Sequence, residues 1–297
     1  MIETIFRVLS SRHFFDWMPD EMYIKLMYRC IMRKRVNLNN PKTFNEKLQW
    51  LKLYDRKPIY TSMVDKYEAK KYVANIIGEQ YIIPTLGVYS KFEEIDFSVL
   101  PNQFVIKCTH DSGGVVICKD KATMNIKKTR KKINKCLKRN FFYSVREWPY
   151  KNIKPRIIIE EYIDDHKNDD LEDYKFMCFN GKVKCSFVCT DRRSKEGLKV
   201  TFFDLDWNQM PFERHYPCSK EKIKKPINYE KMIELSEQLV KNLTFARIDF
   251  YEANGKIYFG EITFFPGSGL EEFLPQEWDE ILGSWINLPE RNKNEKK

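Results

Sequence analysis

Apolar positions recur at helical spacing through residues 1 to about 77 and then give way to short β-rich runs. Pro19-Asp20-Glu21 opens a stretch in which Tyr23, Leu26, Met27, Cys30 and Ile31 keep the helical period, so a helix is predicted from that acidic turn. Thr43, with Glu46 three positions on, forms a capping-box pattern ahead of Leu48, Leu51 and Leu53. A third helix is predicted over Tyr60 to Ile77, stopped by Gly78. Strands follow at Tyr81 to Pro84, Gly87 to Tyr89, Gln103 to Cys108 and Val115 to Cys118, then a basic helix at Asn125 to Phe142. Further strands are predicted at Arg156 to Glu160, Lys175 to Phe179, Val183 to Cys189 and Val200 to Phe203, with Asn180-Gly181 as a hairpin turn. A helix at Tyr229 to Leu243 precedes a last hairpin, Ala246 to Tyr251 and Lys256 to Glu261, turned at Asn254-Gly255. The pattern predicts an α+β chain with antiparallel sheets and no regular βαβ alternation.

Composition supports a folded chain: 42% of the 297 residues are hydrophobic and 14% aromatic, enough to fill a core. Only the run after Trp285 has little to bury and reads as a frayed tail. The net charge of +10 favours polyanionic ligands, among them nucleotides, nucleic acids, sugar phosphates and anionic membrane surfaces. Much of the excess lies between Lys121 and Arg156, where a solvated helix face accounts for it. The eight cysteines form no CxxC pair and have no closely spaced histidine, which argues against zinc and suits a reducing compartment. Charged residues interrupt the first seventeen positions, and no apolar run is long enough to cross a bilayer. A cytoplasmic protein is expected, with peripheral membrane association through the basic N-terminal helices left open; the sequence carries no signal of oligomeric state.

Four constellations carry candidate chemistry. In Phe104-Val-Ile-Lys107-Cys-Thr-His110-Asp111-Ser112-Gly113-Gly114 a strand delivers a lysine into a small polar loop, whose backbone N–H groups suit phosphate oxygens. It lacks the Gly-Lys-Ser/Thr of a Walker loop. Ile157-Ile-Ile-Glu160-Glu161-Tyr162 is a buried-strand pattern ending in two acids, suited to ribose hydroxyls or to solubility in equal measure. Asp173-Tyr-Lys175-Phe, with Asp191-Arg192-Arg193 downstream, offers charge-stabilisers for a phosphoryl group. The sharpest is Arg247-Ile-Asp249 facing Gly260-Glu261-Ile-Thr263 across the last hairpin. Two carboxylates near cross-strand register repel unless a cation lies between them, and hard oxygen ligands suit Mg²⁺. Pro266-Gly-Ser-Gly269 follows directly.

The order of these strings resembles the ATP-grasp superfamily, and their wording its TupA-like polysaccharide-biosynthesis branch. The matching strings are Asn40-Pro-Lys-Thr-Phe-Asn-Glu-Lys47, Asp65-Lys66 with Lys70, Phe104 to Gly114, Glu160-Glu-Tyr162, Asp173-Tyr-Lys-Phe176, and Arg247-Ile-Asp249 with Gly260 to Gly269. The resemblance implies a mainly helical N-terminal region (1–77), an ATP-grasp module (78–275) of two α+β lobes clasping ATP, and a C-terminal helix and tail (276–297). The lid lobe would cover about 102–160 and the metal and phosphate lobe about 161–275. Lys107 would contact phosphates, His110, Asp111, Ser112, Gly113 and Gly114 would form a lid, and Glu160, Glu161 and Tyr162 would read adenine and ribose. Lys175 would be a second phosphate contact, with Arg247 and Arg192 neutralising charge on the transferring group. Asp249, Glu261 and Thr263 would ligate Mg²⁺. Many ATP-grasp enzymes place an asparagine where this chain has Thr263, whose single hydroxyl is a weaker ligand. The implied reaction joins a small-molecule or glycan-linked carboxylate to an amine through an acyl phosphate.

Two other classes compete. A glycosyltransferase would need an Asp-x-Asp string after a strand, and Asp204-Leu-Asp206 is the only one here. A nucleic-acid binder would use the basic helix, which lacks aromatics spaced for stacking until Phe141, Phe142 and Tyr143, so no nucleic-acid partner is expected.

Overall fold

A computed structural model describes residues 2–111, 113–164, 171–191 and 197–291. The N-terminal helices are α1 (Ile2–Ser11), α2 (Asp20–Met32), α3 (Phe44–Tyr54), α4 (Ile59–Val64) and α5 (Glu68–Ile77). The capping box forms: the Thr43 hydroxyl accepts from the Glu46 N–H at 3.2 Å while the Glu46 carboxylate accepts from the Thr43 N–H at 3.4 Å. The helix predicted over Tyr60 to Ile77 is two helices. Asp65 breaks it, because its Oδ1 accepts from the N–H groups of Tyr67 and Glu68 at 2.8 and 3.1 Å and so restarts the helix.

Two antiparallel sheets follow. The first is built from β1 (Thr85–Tyr89), β2 (Phe104–Cys108), β3 (Val115–Cys118) and β4 (Ile157–Glu161) in the order β1-β4-β2-β3. The helices α6 (Ile126–Leu137) and α7 (Phe141–Val145) lie between β3 and β4 in sequence. They replace the single predicted basic helix, since Asn140 caps a new start by accepting from the Phe142 N–H. Tyr81 to Pro84 is no strand; a 3₁₀ turn at Glu79–Tyr81 takes its place. The second sheet orders β5 (Glu172–Phe179), β6 (Lys182–Thr190), β7 (Lys199–Phe203), β9 (Phe245–Ala253) and β10 (Lys256–Thr263) as β10-β9-β5-β6-β7. A small pair, β8 (Glu213–Arg214) with β11 (Phe273–Leu274), and helices α8 (Tyr229–Val240) and α9 (Glu277–Ser284) complete the chain.

Each sheet has its own core. Phe92, Phe104, Ile106, Ile133, Ile157 and Ile159 pack β2 and β4 against α6. The larger core joins the second sheet to α3, α5, α8 and α9 through residues such as Leu48, Val73, Phe176, Leu239, Ile248 and Leu282. At roughly 1.5–3 kcal/mol per fully buried large apolar side chain, these clusters are the main favourable term. A third cluster, with Phe6, Tyr23, Ile24, Met27 and Leu270, seats the α1–α2 hairpin. The segment after Trp285 does not fray at once: Ile286 is buried, the Lys47 ammonium donates to its carbonyl at 2.7 Å, and the Asn287 N–H donates to Asn180. Residues 292–297 lie outside the described residues.

Candidate active site

The β9–β10 hairpin explains how two acids come to share one face. From its turn the register runs Ala253 opposite Lys256 down to Phe250 opposite Phe259, which would set Gly260 against Asp249. A bulge between Phe259 and Glu261 absorbs Gly260, so Glu261 pairs with Asp249 instead. Glycine suits this position, because a Cβ here would fall 3.0 Å from the Asp249 carbonyl oxygen. On the other side of β9, Asp249 is in register with Lys175 of β5, and Lys175 with Phe187 of β6. Glu261, Asp249 and Lys175 thus form a row across three adjacent strands.

Arg247 ties this row together. Its guanidinium donates to both Asp249 oxygens at 2.6 and 2.7 Å, to Glu261 Oε1 at 2.9 Å and to the Thr263 hydroxyl at 3.1 Å. The Lys175 ammonium sits between Asp173 and Asp249. Burial by itself would raise the Asp249 carboxyl, but Arg247 and Lys175 outweigh it and hold the group below the usual carboxylate range. Burial would likewise strip Lys175 of its proton, and Asp173 with Asp249 reverse that, so the ammonium persists. Asp249 is 1% exposed, whereas the Glu261 side chain is 40% exposed.

Asp249 and Glu261, in cross-strand register, offer hard oxygen atoms of the kind a divalent cation takes. One guanidinium nitrogen reaches an oxygen of each acid within 2.9 Å, so Asp249 and Glu261 converge on a single point of positive charge. Among the described residues no group of three or more His, Cys, Asp or Glu converges, so a cation there would draw its remaining oxygens from a ligand.

The first sheet forms the facing wall. Lys107 on β2 pairs with Glu160 on β4 at 2.6 Å, and Lys70 of α5 pairs with the other Glu160 oxygen. Burial opposes charge on Glu160, and the two ammoniums more than offset it, leaving its carboxyl below the ordinary value. Between the walls is a cleft of about 580 Å³. Lys107, Glu160, Glu161, Tyr162, Lys175, Asp249 and Glu261 all line it, and Ile83, Val105, Ile163, Leu171 and Val188 give it an apolar side. Arg247 and Thr263 stand behind Asp249 and Glu261, outside that lining.

The described residues of the loop after β2, His110, Asp111, Gly113 and Gly114, are not among those lining the cleft. His110 is buried with Nε2 3.1 Å from the Cys136 carbonyl of α6, and burial holds its imidazole below the usual histidine value. Asp111 offers its backbone carbonyl to the Lys66 ammonium at 3.0 Å. Gly114 passes so close to β2 and α6 that a Cβ would meet Cys108 at 3.0 Å and Cys136 at 3.1 Å, and Gly113 is open by comparison. Ser112, Arg192 and Arg193 lie outside the described residues.

Several residues received no role from the sequence. Asp173 alternates with Lys175 along a strand, a legible i, i+2 signal to which no role was attached. Lys66 and Lys119 also line the cleft, and Lys70 neutralises Glu160. Beside the acids runs a buried network. Lys52 of α3 donates to the carbonyls of Ser268 and Val145 at 2.8 and 3.0 Å, and the Ser268 hydroxyl donates to Glu147 at 2.6 Å. Gln49 donates to the carbonyls of Ser268 and Gly269, so α3 fixes the loop that follows β10. Asp204, the first acid of the Asp-x-Asp string, is consumed by its own turn, accepting from the N–H groups of Asp206 and Asn208. The glycosyltransferase reading loses its metal site there.

No curated protein matches the sequence. Among solved structures, the D-alanine–D-alanine ligase of Bacillus anthracis complexed with ATP is 20% identical, with 68% of this chain and 55% of that chain covered and a TM-score of 0.40. Biotin carboxylase of Campylobacter jejuni in its β,γ-ATP complex is 14% identical, with 77% and 47% covered and a TM-score of 0.43. The D-alanine–D-alanine ligase of Helicobacter pylori is 15% identical, with 82% and 69% covered and a TM-score of 0.41. The chain therefore spans about half the length of the first of these. The family model for TupA-like ATP-grasp proteins matches residues 46–287, and the chain belongs to that family.

Proposed function

We propose that the protein is an ATP-dependent carboxylate–amine ligase serving capsular or other cell-surface polysaccharide synthesis, teichuronopeptide-like in chemistry. The observation that carries this reading is the row Glu261–Asp249–Lys175 across the cleft from Lys107. ATP would lie between the sheets, its adenine against the apolar side and its phosphates toward Lys107 and Lys175. Mg²⁺, held by Asp249 and Glu261 with Thr263 beside them, would supply charge neutralisation to the phosphates.

The chain's own residues do the rest. A substrate carboxylate oxygen attacks the γ-phosphorus and ADP leaves; the amine then attacks the acyl carbon, phosphate leaves, and the nitrogen gives up a proton. Lys107 and Lys175 hold positive charge where negative charge builds, and Arg247 keeps both acids in place. The loop at Pro266–Gly269, directly after β10, is immobilised by α3 and Glu147.

Incubation with Mg²⁺-ATP and a panel of uronic or amino-acid carboxylates with amino acids or amino alcohols tests this. ADP release that requires both partners is expected. Release independent of any acceptor, or turnover of a nucleotide sugar, would overturn it.

A further inference from the structure

Large apolar side chains left exposed by the fold concentrate at one end of the molecule. Ile2, Ile5 and Val8 of α1, Phe14 and Trp17 of the connecting turn, and Met22 of α2 are all exposed, Trp17 at 73%; elsewhere such residues are scattered singly. Helix α1 buries only Phe6 and Ser10, so its apolar face is wider than the stripe it packs. Basic residues border the same segment: Arg7, Arg12, Lys25, Arg29, Arg33, Lys34 and Arg35 are exposed. Of the acids nearby, Asp20 is taken by Arg56 and Arg146, and Asp16 faces His13. Arg7 and Lys25 have only exposed partners one helical turn away, pairings worth little in water.

We propose that the α1–α2 hairpin is a docking surface for an anionic lipid bilayer. Exposed Trp and Phe beside aliphatic residues suit the headgroup boundary, and the exposed Lys and Arg of the same segment complement lipid phosphates. The protein lies on such a surface; no helix among the described residues is long and apolar enough to cross a membrane.

The hairpin is also fixed relative to the cleft. Arg146 is fully buried and donates to the carbonyls of Phe15 and Met18, while Tyr23 donates to the carbonyl of Ser144. The next residue, Glu147, holds Ser268 in the loop after β10. A bilayer gripped by the hairpin therefore sets the orientation of the cleft.

Co-sedimentation tests the proposal with the full chain and two vesicle types, phosphatidylcholine alone and phosphatidylcholine with phosphatidylglycerol in equal parts. The chain is expected to sediment with the anionic vesicles and to be released by salt. In the variant carrying both Ile5→Glu and Trp17→Glu, whose altered side chains are exposed, the bound fraction should fall at least about tenfold with melting temperature and Mg²⁺-ATP shift unchanged. Absence of sedimentation with either vesicle, or undiminished binding by the variant, overturns it. So does a concentration-dependent dimer that the variant abolishes without vesicle binding, which would give this face to a second copy. Nucleotide binding is read separately, so failure here leaves the ligase reading standing.

Discussion

Asp249 and Glu261 carry unequal loads. Asp249 is buried between two cations, so Asp249→Asn strips a charge from Arg247 and Lys175 as well as from any metal; Glu261→Gln alters a partly exposed side chain. Both variants should lose turnover by about a hundredfold or more and lose the Mg²⁺-ATP melting shift, with Asp249→Asn also lowering basal stability. Intact shifts in both would remove the metal assignment. The Lys52–Glu147 pair makes a separate prediction. Burial pushes Glu147 up to about 7 and Lys52 down to about 8, each partly restored by the other. A carboxyl raised on folding contributes stability below its unfolded value of 4.5 that is lost as pH rises toward 7. Melting temperature should therefore fall with pH across that window, and Glu147→Gln should flatten the dependence. Lys52 works from the other side: its depressed value contributes stability above 10.5 that is lost as pH falls through about 8. Lys52→Met alone, which removes the donor to the Ser268 and Val145 carbonyls while Glu147 takes up a proton, should cost about 1–3 kcal/mol by denaturant melts. At this scale the acids, Lys107 and Lys175 were legible because strand alternation and spacing are local. Glu147 and Lys52 were not: a lysine at helical spacing looks solvated until α3, the segment before Tyr150 and the loop after β10 meet around it.

Among elements, the hairpin depends on one glycine. Gly260→Val would press a branched side chain against the Asp249 carbonyl and the Tyr251 ring, straightening or breaking the bulge that sets Glu261 opposite Asp249. A loss of about 1–3 kcal/mol is expected, together with loss of nucleotide binding by calorimetry; retained binding would show that the bulge is dispensable. Gly283 plays the matching part in docking α9 on α3. A Cβ there would lie 2.2 Å from the Lys42 carbonyl oxygen, so Gly283→Ala should destabilise the chain by about 3 kcal/mol, readable as a lower denaturant midpoint. Element types were legible wherever the period was sustained, as in α3, β2 and the two Asn-Gly hairpins. Breaks at Asp65 and Asn140 were hidden because a capping side chain interrupts a helix without disturbing its apolar spacing. The bulge was hidden for a related reason: two-residue alternation carries no mark of an inserted residue.

For the whole molecule, two sheets with separate cores meet across one cleft, so a ligand between them should couple bodies that otherwise share little packing. Mg²⁺-ATP at a hundred times its dissociation constant should add about 2.7 kcal/mol to stability. Hydrogen exchange should slow in both β4 and β10; protection confined to one sheet would place the nucleotide elsewhere. The antiparallel α+β architecture was legible from the order of elements. The meeting of its walls followed only from the family resemblance, because the Lys70–Glu160 ion pair joins residues ninety positions apart in the chain.

The thiols turn this geometry into a reporter. Cys108, Cys118, Cys136, Cys178 and Cys185 are buried, and Cys30 and Cys218, although half-buried, lie outside the cleft lining. Cys189 is half-buried on the cleft wall itself. Iodoacetamide labelling of the folded chain, followed by peptide mass spectrometry, should therefore slow at Cys189 when nucleotide is present and stay unchanged at Cys30. Occupancy of the cleft becomes a mass difference on one peptide, measurable before any acceptor is known.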